Sequence, residues 1–395
     1  MSEYDHVNVQ VAIDALDGER ELIGLSLERG FRVSLAELAG AGSKYGMTFE
    51  PGPPEYAPVD VGDRTISCLK SGLLLVSESG VPVAALLAGR EDDGIPGIRL
   101  QAISLRRESA EAWLARLRAL MRERNVYRGK VLSFGGDQPF RPAPVSVRSL
   151  PAVPRDRIVL PERALDRIER HTAGLARHRD HLRASGRHVR RGLLLHGAPG
   201  TGKTLSVMYL AGLMPERTVI LLTGRTIGGV GMACSLARSL EPAMVAIEDV
   251  DLIAQDRSHY ESAPLLFELL NAMDELDEDA VVLTTNRPET LEAALAARSG
   301  RIDLAVELPL PDGAARRRLF EIYGGGLTLD VADWEPIVAA TDGTSPALIR
   351  ELFRHAALGV AEAGRDSVRA ADLLAAAVEL KDESGRLTAA LLGAG

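Results

Sequence analysis

Beyond about residue 157 the chain alternates between two rhythms. Short apolar runs at 193–195, 219–222, 244–247, 281–284 and 304–308 are separated by stretches with helical spacing. Continuous apolar runs of strand length, alternating with helices, predict a parallel sheet buried on both faces. From Asp312 onward the pattern is helical only. Leu348, Leu352 and Phe353 share one face, and an alanine–leucine helix follows 367–372. Residues 1–148 are patterned differently. Two apolar runs, 72–76 and 81–87, read as strands joined by a turn at 77–80, and the prolines of 50–58 mark a loop. Trp113, Leu114, Leu117, Leu120 and Met121 predict an amphipathic helix over about 108–124, with a strand after it at 130–134. The stretch 141–154 is proline-rich and aperiodic and reads as a linker between domains. The expected divisions are an unidentified α+β domain (1–148), a linker (149–156), an α/β domain (157–311), a helical subdomain (312–382) and a tail (383–395).

Composition narrows the possibilities. The formal net charge of -9 disfavours a broad basic face for nucleic acid. Cys68 and Cys234 lie far apart and neither belongs to a CxxC pair, so two buried reduced thiols are expected rather than a disulfide or zinc site. The most apolar stretch, 72–89, is interrupted by Ser77, Glu78, Ser79 and Pro82 and is not a membrane span. With no basic-then-apolar leader at the N-terminus, the expected location is the cytoplasm. Only five lysines occur, Lys44, Lys70, Lys130, Lys203 and Lys381, so a lysine inside a motif carries weight.

The strongest motif is Gly197-Ala198-Pro199-Gly200-Thr201-Gly202-Lys203-Thr204, followed by Leu205. It has the GxxxxGK[ST] form, between an apolar strand and a helix. Glycines let the backbone N–H groups close around phosphate oxygens, and the helix adds its positive end. Lys203 is placed to reach the β- and γ-phosphates of ATP, and the Thr204 hydroxyl to bind Mg²⁺. About 45 residues further on, an apolar strand ends in Glu248 and Asp249, followed by Asp251. Carboxylates at the C-terminal end of a buried strand lie beside such phosphates. One can serve Mg²⁺ and the other can orient or deprotonate water. Asn286, at the end of the next strand, either faces the γ-phosphate or forms a turn. Arg298 and Arg301 are either surface charges in an arginine-rich chain or cations that stabilise a transferring phosphoryl group.

The order of GAPGTGKT, VAIEDVDLIA, LLNAMDEL, LTTNRPETLEAALAARSGRID and VELPLPDGAARRRLFEIY resembles the AAA+ ATPases, in the AAA subgroup with the second region of homology, over about 160–381. The resemblance implies a P-loop parallel sheet with a small helical lid and an ATP hydrolase. It implies Asn286 as sensor and Arg298 and Arg301 as fingers reaching a neighbouring subunit, usually in a hexameric ring. The usual Asp–Glu pair is reversed to Glu248–Asp249, as in the mitochondrial AAA translocase of the Rieske protein. Glu248 is therefore assigned to Mg²⁺ and Asp249 to water activation by position. Tyr323 stands where many relatives have a histidine near the base, and Ala347 where the subgroup has its usual alanine. The pore-loop position reads 226–231 (TIGGVG) and lacks the family's aromatic. Two functions are carried forward: a ring that remodels a protein, with the N-terminal domain recruiting substrate or adaptor, and a nucleotide-controlled assembly module that does not thread. A helicase or clamp-loader role is disfavoured by the acidic balance.

Overall fold

The computed structural model describes residues 5–26, 34–35, 38, 50–88, 98–134, 145–187, 191–251, 271, 273, 280–289, 291 and 302–381. The chain divides into two compact units, Met1–Ser149 and Leu150–Gly395.

The first unit contains β1 (Arg20–Ser26), β2 (Glu50–Gly52), β3 (Tyr56–Asp60), β4 (Thr65–Leu69), β5 (Ser71–Glu78), β6 (Val81–Ala88), β7 (Arg99–Ser104), β8 (Val131–Phe134) and β9 (Val145–Arg148). Five of these form an antiparallel sheet in the order β2-β1-β5-β6-β7. β3–β4 and β8–β9 are antiparallel pairs. The anticipated β5–β6 hairpin turns through Ser79 (φ 52°) and Gly80 (φ 77°), two successive left-handed residues whose twist suits a tight hairpin. The amphipathic helix spans Arg107–Glu123 and buries Trp113, Leu117 and Met121. A second helix, Asp5–Asp14, joins it: Val9, Ala12 and Ile13 share a core cluster with Trp113, Leu117, Leu74 and Leu87. That helix carries no sharp amphipathic stripe, since Asn8 and Gln10 are buried as well. Their side chains are satisfied from afar: Asn8 Oδ1 accepts from Val126 N (3.0 Å) and Gln10 Oε1 from Leu69 N (2.9 Å).

One reading needs correction here. The stretch 141–154 is not linker throughout, because Val145–Arg148 is a strand paired with β8. Val145 and Val147 are β-branched and alternate with polar neighbours, a pattern masked by the surrounding prolines. Cys68 and Cys234 are both buried and form no disulfide.

The second unit holds β10 (Arg191–His196), β11 (Thr218–Thr223), β12 (Ala243–Glu248), β13 (Ala280–Thr285) and β14 (Leu304–Glu307). They run parallel in the order β14-β10-β13-β12-β11. All five apolar runs read from sequence are strands of this sheet. β13 is buried at every position and β12 at all but its last, as for strands covered on both faces. The chain leaves β10 in mid-sheet, crosses past β13 and β12 to β11 and works back. The end of β10 is thus a topological switch point, where open α/β sheets bind ligands.

Beyond Asp312 four helices, Gly313–Tyr323, Glu335–Ala340, Pro346–Glu362 and Ala370–Lys381, share a core containing Phe320, Ile337, Leu352, Phe353 and Leu373. Phe320 stacks on Trp334 with centroids 5.5 Å apart, and the Arg317 guanidinium lies over Trp334 at 4.6 Å. The first helix is capped by Asp312, which accepts from Ala315 N (2.8 Å). The third is capped by Ser345, with Pro346 opening its first turn. This region is not purely helical, as the periodicity suggested. β15 (Leu329–Asp330) and β16 (Val368–Arg369) pair in parallel, each too short to leave a repeating signal. Among the described residues, no helix is long and apolar enough to cross a membrane.

Candidate functional site: a nucleotide cleft at the end of β10

The glycine-rich loop follows β10 and runs into helix Lys203–Leu213. Two glycines are required by geometry. Gly197 has φ 150°, and a Cβ there would lie 2.3 Å from the Leu308 carbonyl oxygen. Gly202, at φ 99°, starts the helix from a left-handed conformation that a side chain would strain. Thr201 ties the loop to itself, its hydroxyl donating to the Ala198 carbonyl (2.9 Å).

Lys203 is buried. Its Nζ donates to the carbonyls of Gly197 (2.8 Å) and Ala198 (2.9 Å), which leaves one of its three donors for a phosphate oxygen. Burial lowers its pKa, while Asp249, Asp251 and Glu248 act in the opposite direction.

The carboxylates after β12 differ in environment. Burial raises the Glu248 pKa; the Thr204 hydroxyl, by hydrogen bonding, lowers it; Asp249 adds a raising charge and Lys203 a lowering one. Glu248 Oε1 is buried with no partner among the described residues. An orphaned carboxylate oxygen beside a threonine hydroxyl is a pair of hard oxygen donors, the kind of set that suits Mg²⁺ shared with phosphates. Among the described residues no cluster of three or more His, Cys, Asp or Glu side chains is arranged for a metal.

Asp249 leaves the strand with φ 53°, in the left-handed region that Asp tolerates better than most side chains. Its N–H donates to Thr284 Oγ1 (3.1 Å), and its carboxylate accepts from Asn286 Nδ2 (3.2 Å). The sequence offered no way to join Asp249 to Asn286; pairing of β12 with β13 does so. Asp251 has no role legible in the sequence pattern alone. It is 3% exposed, and its Oδ1 accepts from Thr285 Oγ1 (2.8 Å) and from Asn286 N (3.1 Å). It thereby anchors the turn that carries Asn286.

A cleft of about 530 Å³ opens over the loop, within the usual size for a small-molecule site. Pro199, Gly200, Thr201, Gly202, Lys203, Thr204 and Leu205 line it together with Asp249, Asn286 and Tyr323. Gly197, Ala198 and Glu248 are not part of this lining. The helical subdomain closes one side: Ala347 lines the cleft and its N–H donates to the Gly200 carbonyl (3.2 Å). Ile158 and Leu160 supply an apolar wall, and Arg157 and Arg350 also border it. None of these four was anticipated. In a chain rich in arginine, two arginines 193 positions apart give no signal, and Ile158 follows a segment read as linker. Arg298 and Arg301 lie outside the described residues, as do the side chains of Arg225 and Ile227 around the pore-loop position.

Residues 193–310 match the family described as ATPase family associated with various cellular activities (AAA). The chain carries an AAA ATPase domain. The AAA domain is 34% identical over 211 residues to the ATP-dependent zinc metalloprotease FtsH of Opitutus terrae, covering 49% of this chain and 34% of that protein. It is 34% identical over 213 residues to the 26S proteasome regulatory subunit 6B homolog of Encephalitozoon cuniculi, covering 49% of this chain and 54% of the relative. The chain thus spans between a third and about half of these relatives' length. In fold it is similar to the FIGL-1 AAA domain solved in complex with ADP (TM-score 0.50, 23% identity, 60% of this chain and 88% of that one).

Proposed function

We propose that the protein binds ATP with Mg²⁺ and hydrolyses it as an oligomeric, ring-forming ATPase that remodels a protein or a protein complex. The observation that carries this reading is the Asp249–Asn286 hydrogen bond at the lip of a cleft floored by the Lys203 loop. It joins a carboxylate and an amide on the wall of that cleft, a pair suited to orient a water for attack on the terminal phosphate.

In this reading the loop N–H groups and the N-terminus of helix Lys203–Leu213 hold the β-phosphate, and Lys203 neutralises the terminal phosphates. Thr204 and Glu248 would hold Mg²⁺, which when bound draws charge from the phosphate oxygens. Asp249 takes a proton from the attacking water, and Asn286 fixes both the water and the carboxylate. Tyr323, Ile158 and Leu160, which line the cleft, offer apolar and aromatic surface to the nucleotide base. The order Glu248–Asp249, like that of the Rieske-protein translocase, shortens the base by one methylene, and the left-handed turn at Asp249 is the backbone device that aims it. Arg298 and Arg301 act across a subunit interface in this scheme.

Asp249→Asn tests it directly. Turnover should fall roughly 10²-fold or more, as for loss of a positioned base, while ATP binding persists. Normal turnover would sink the assignment. The oligomer is tested by mixing Arg298→Ala with Lys203→Ala: each is inactive alone, and a mixture should recover activity if the arginine serves its neighbour's site.

A second reading has one observation in its favour. The pore-loop position, 226–231, carries no aromatic residue to grip a threaded chain. A nucleotide-controlled assembly or scaffold would not need one. ATP turnover stimulated by a protein substrate would decide for remodelling.

A further inference from the structure

The first unit contains a cavity of about 220 Å³ that the nucleotide chemistry does not use. It lies among residues of both helices and the antiparallel sheet. Its inner wall is apolar, with Ala85, Leu87 and Leu100 from β6 and β7, and the Trp113 indole from the long helix. Asp14 and Arg20 also line it.

Two observations bear on what it takes. First, the volume is below the roughly 300–1,000 Å³ of pockets that accept a drug-sized ligand. It suits one amino-acid side chain. Second, the exposed part of the lining carries both signs of charge. Asp14 and Arg20 have side chains 57% and 37% exposed, and the carboxylate and guanidinium stand 3.9 Å apart. That is well beyond the 2.7–2.9 Å of a charge-assisted hydrogen bond, so each retains capacity for another partner. Both are held in place. Arg20 Nη1 donates to the Ile13 carbonyl, and Asp14 Oδ1 accepts from Gln10 Nε2 (3.0 Å). Gln10 is itself fixed by Leu69 N.

We propose that this cavity is a binding site for an apolar α-amino acid, its side chain inside, its α-ammonium on Asp14 and its α-carboxylate on Arg20. The same chemistry is available from a free amino acid or from the end of a polypeptide, which carries one of the two charges. The site is independent of the nucleotide reading above and operates without ATP.

The protein has two tryptophans, Trp113 and Trp334, so Trp334→Phe in the full chain leaves Trp113 as sole reporter. Titration with L-leucine or L-phenylalanine should give a saturable change in indole emission, with one site per chain by calorimetry. Arg20→Ala and Asp14→Asn should each weaken binding about tenfold or more, the size of one lost charged contact. Ala85→Leu, which fills the cavity, should abolish it. Lys203→Ala should leave it intact, separating this outcome from any failure of the ATPase reading. If the ligand is the free amino acid, N-acetyl-L-leucine and L-leucinamide both bind weakly. If it is a chain end, one of the two keeps the affinity of leucine. Absence of saturable binding through millimolar concentrations, or binding indifferent to Arg20→Ala and Asp14→Asn, would show a cavity that holds only water. Because the two charge variants alter partly exposed residues, the test stands even if Ala85→Leu does not fold.

Discussion

The two units solve the same problem, placing polar groups inside a folded chain, by opposite means. In the AAA domain the polar groups are close in sequence to the strands that deliver them. Lys203 bonds to carbonyls five and six residues back, and Glu248 and Asp249 are the last residue of β12 and the next. In the first unit the buried polar groups are satisfied across long separations, Asn8 by Val126 and Gln10 by Leu69. The first arrangement leaves a motif, because local geometry demands particular residues at fixed offsets. The second leaves none, because any sequence that brings the two groups together serves as well. A recognisable site and an unrecognisable domain can therefore sit in one chain.

Mutations in the two units should accordingly separate into different observables. The largest expected effect on stability is in the first unit. Leu117, on the long helix, is fully buried in a cluster with the helix Asp5–Asp14 and the sheet, and Leu117→Ala should cost about 2–5 kcal/mol of unfolding free energy by denaturant titration. Nucleotide affinity of the folded protein should not change. If affinity falls with stability, the units are energetically coupled and the contrast is too sharp.

Lys203→Ala is the converse. It should weaken ATP binding by about 10²-fold, ~2.7 kcal/mol, in a nucleotide titration while leaving the denaturant midpoint close to wild type. Wild-type affinity would remove the central claim about the cleft.

Asp251→Ala tests a buried polar residue of the AAA site that acts over a long separation. It leaves the Thr285 hydroxyl and the Asn286 N–H without their acceptor, at a cost of about 1–3 kcal/mol in stability. Turnover should drop more than ATP affinity, because Asn286 loses its anchor while the loop does not. Equal losses in both would reduce Asp251 to a structural role.

The smallest effect concerns pH. Asp372 accepts two hydrogen bonds from the Arg365 guanidinium (2.9 and 2.6 Å), and that contact, followed by the Arg369 N–H, lowers its pKa from 3.8 to about 2. A carboxyl with a depressed folded-state pKa stabilises the fold above its unfolded pKa, and the contribution is lost as pH falls through the folded one. Wild type should melt above Asp372→Asn at pH 5, and the gap should close between about pH 4 and pH 2. A gap independent of pH would mean that the pair contributes by packing rather than by charge.

The sequence by itself determined the alternation that makes the parallel sheet, the five runs that became its strands, and the identity of the phosphate loop. Each follows from rules that act over a few residues: burial on both faces demands continuous apolar runs, and a backbone wrapped closely around phosphate demands glycine. It also held the hairpin β5–β6 and the helix Arg107–Glu123, whose periods are local. It did not hold the buried helix Asp5–Asp14, whose polar residues are paid for by distant partners, or the strand Val145–Arg148 hidden among prolines. Tertiary structure alone joined Asp249 to Asn286, gave Asp251 its place beneath the turn that carries Asn286, and set Ile158 and Ala347 on the walls of the cleft. Those contacts depend on which strands lie side by side and on where the helical subdomain closes, and both are set by the packing of the whole unit rather than by any short stretch of it.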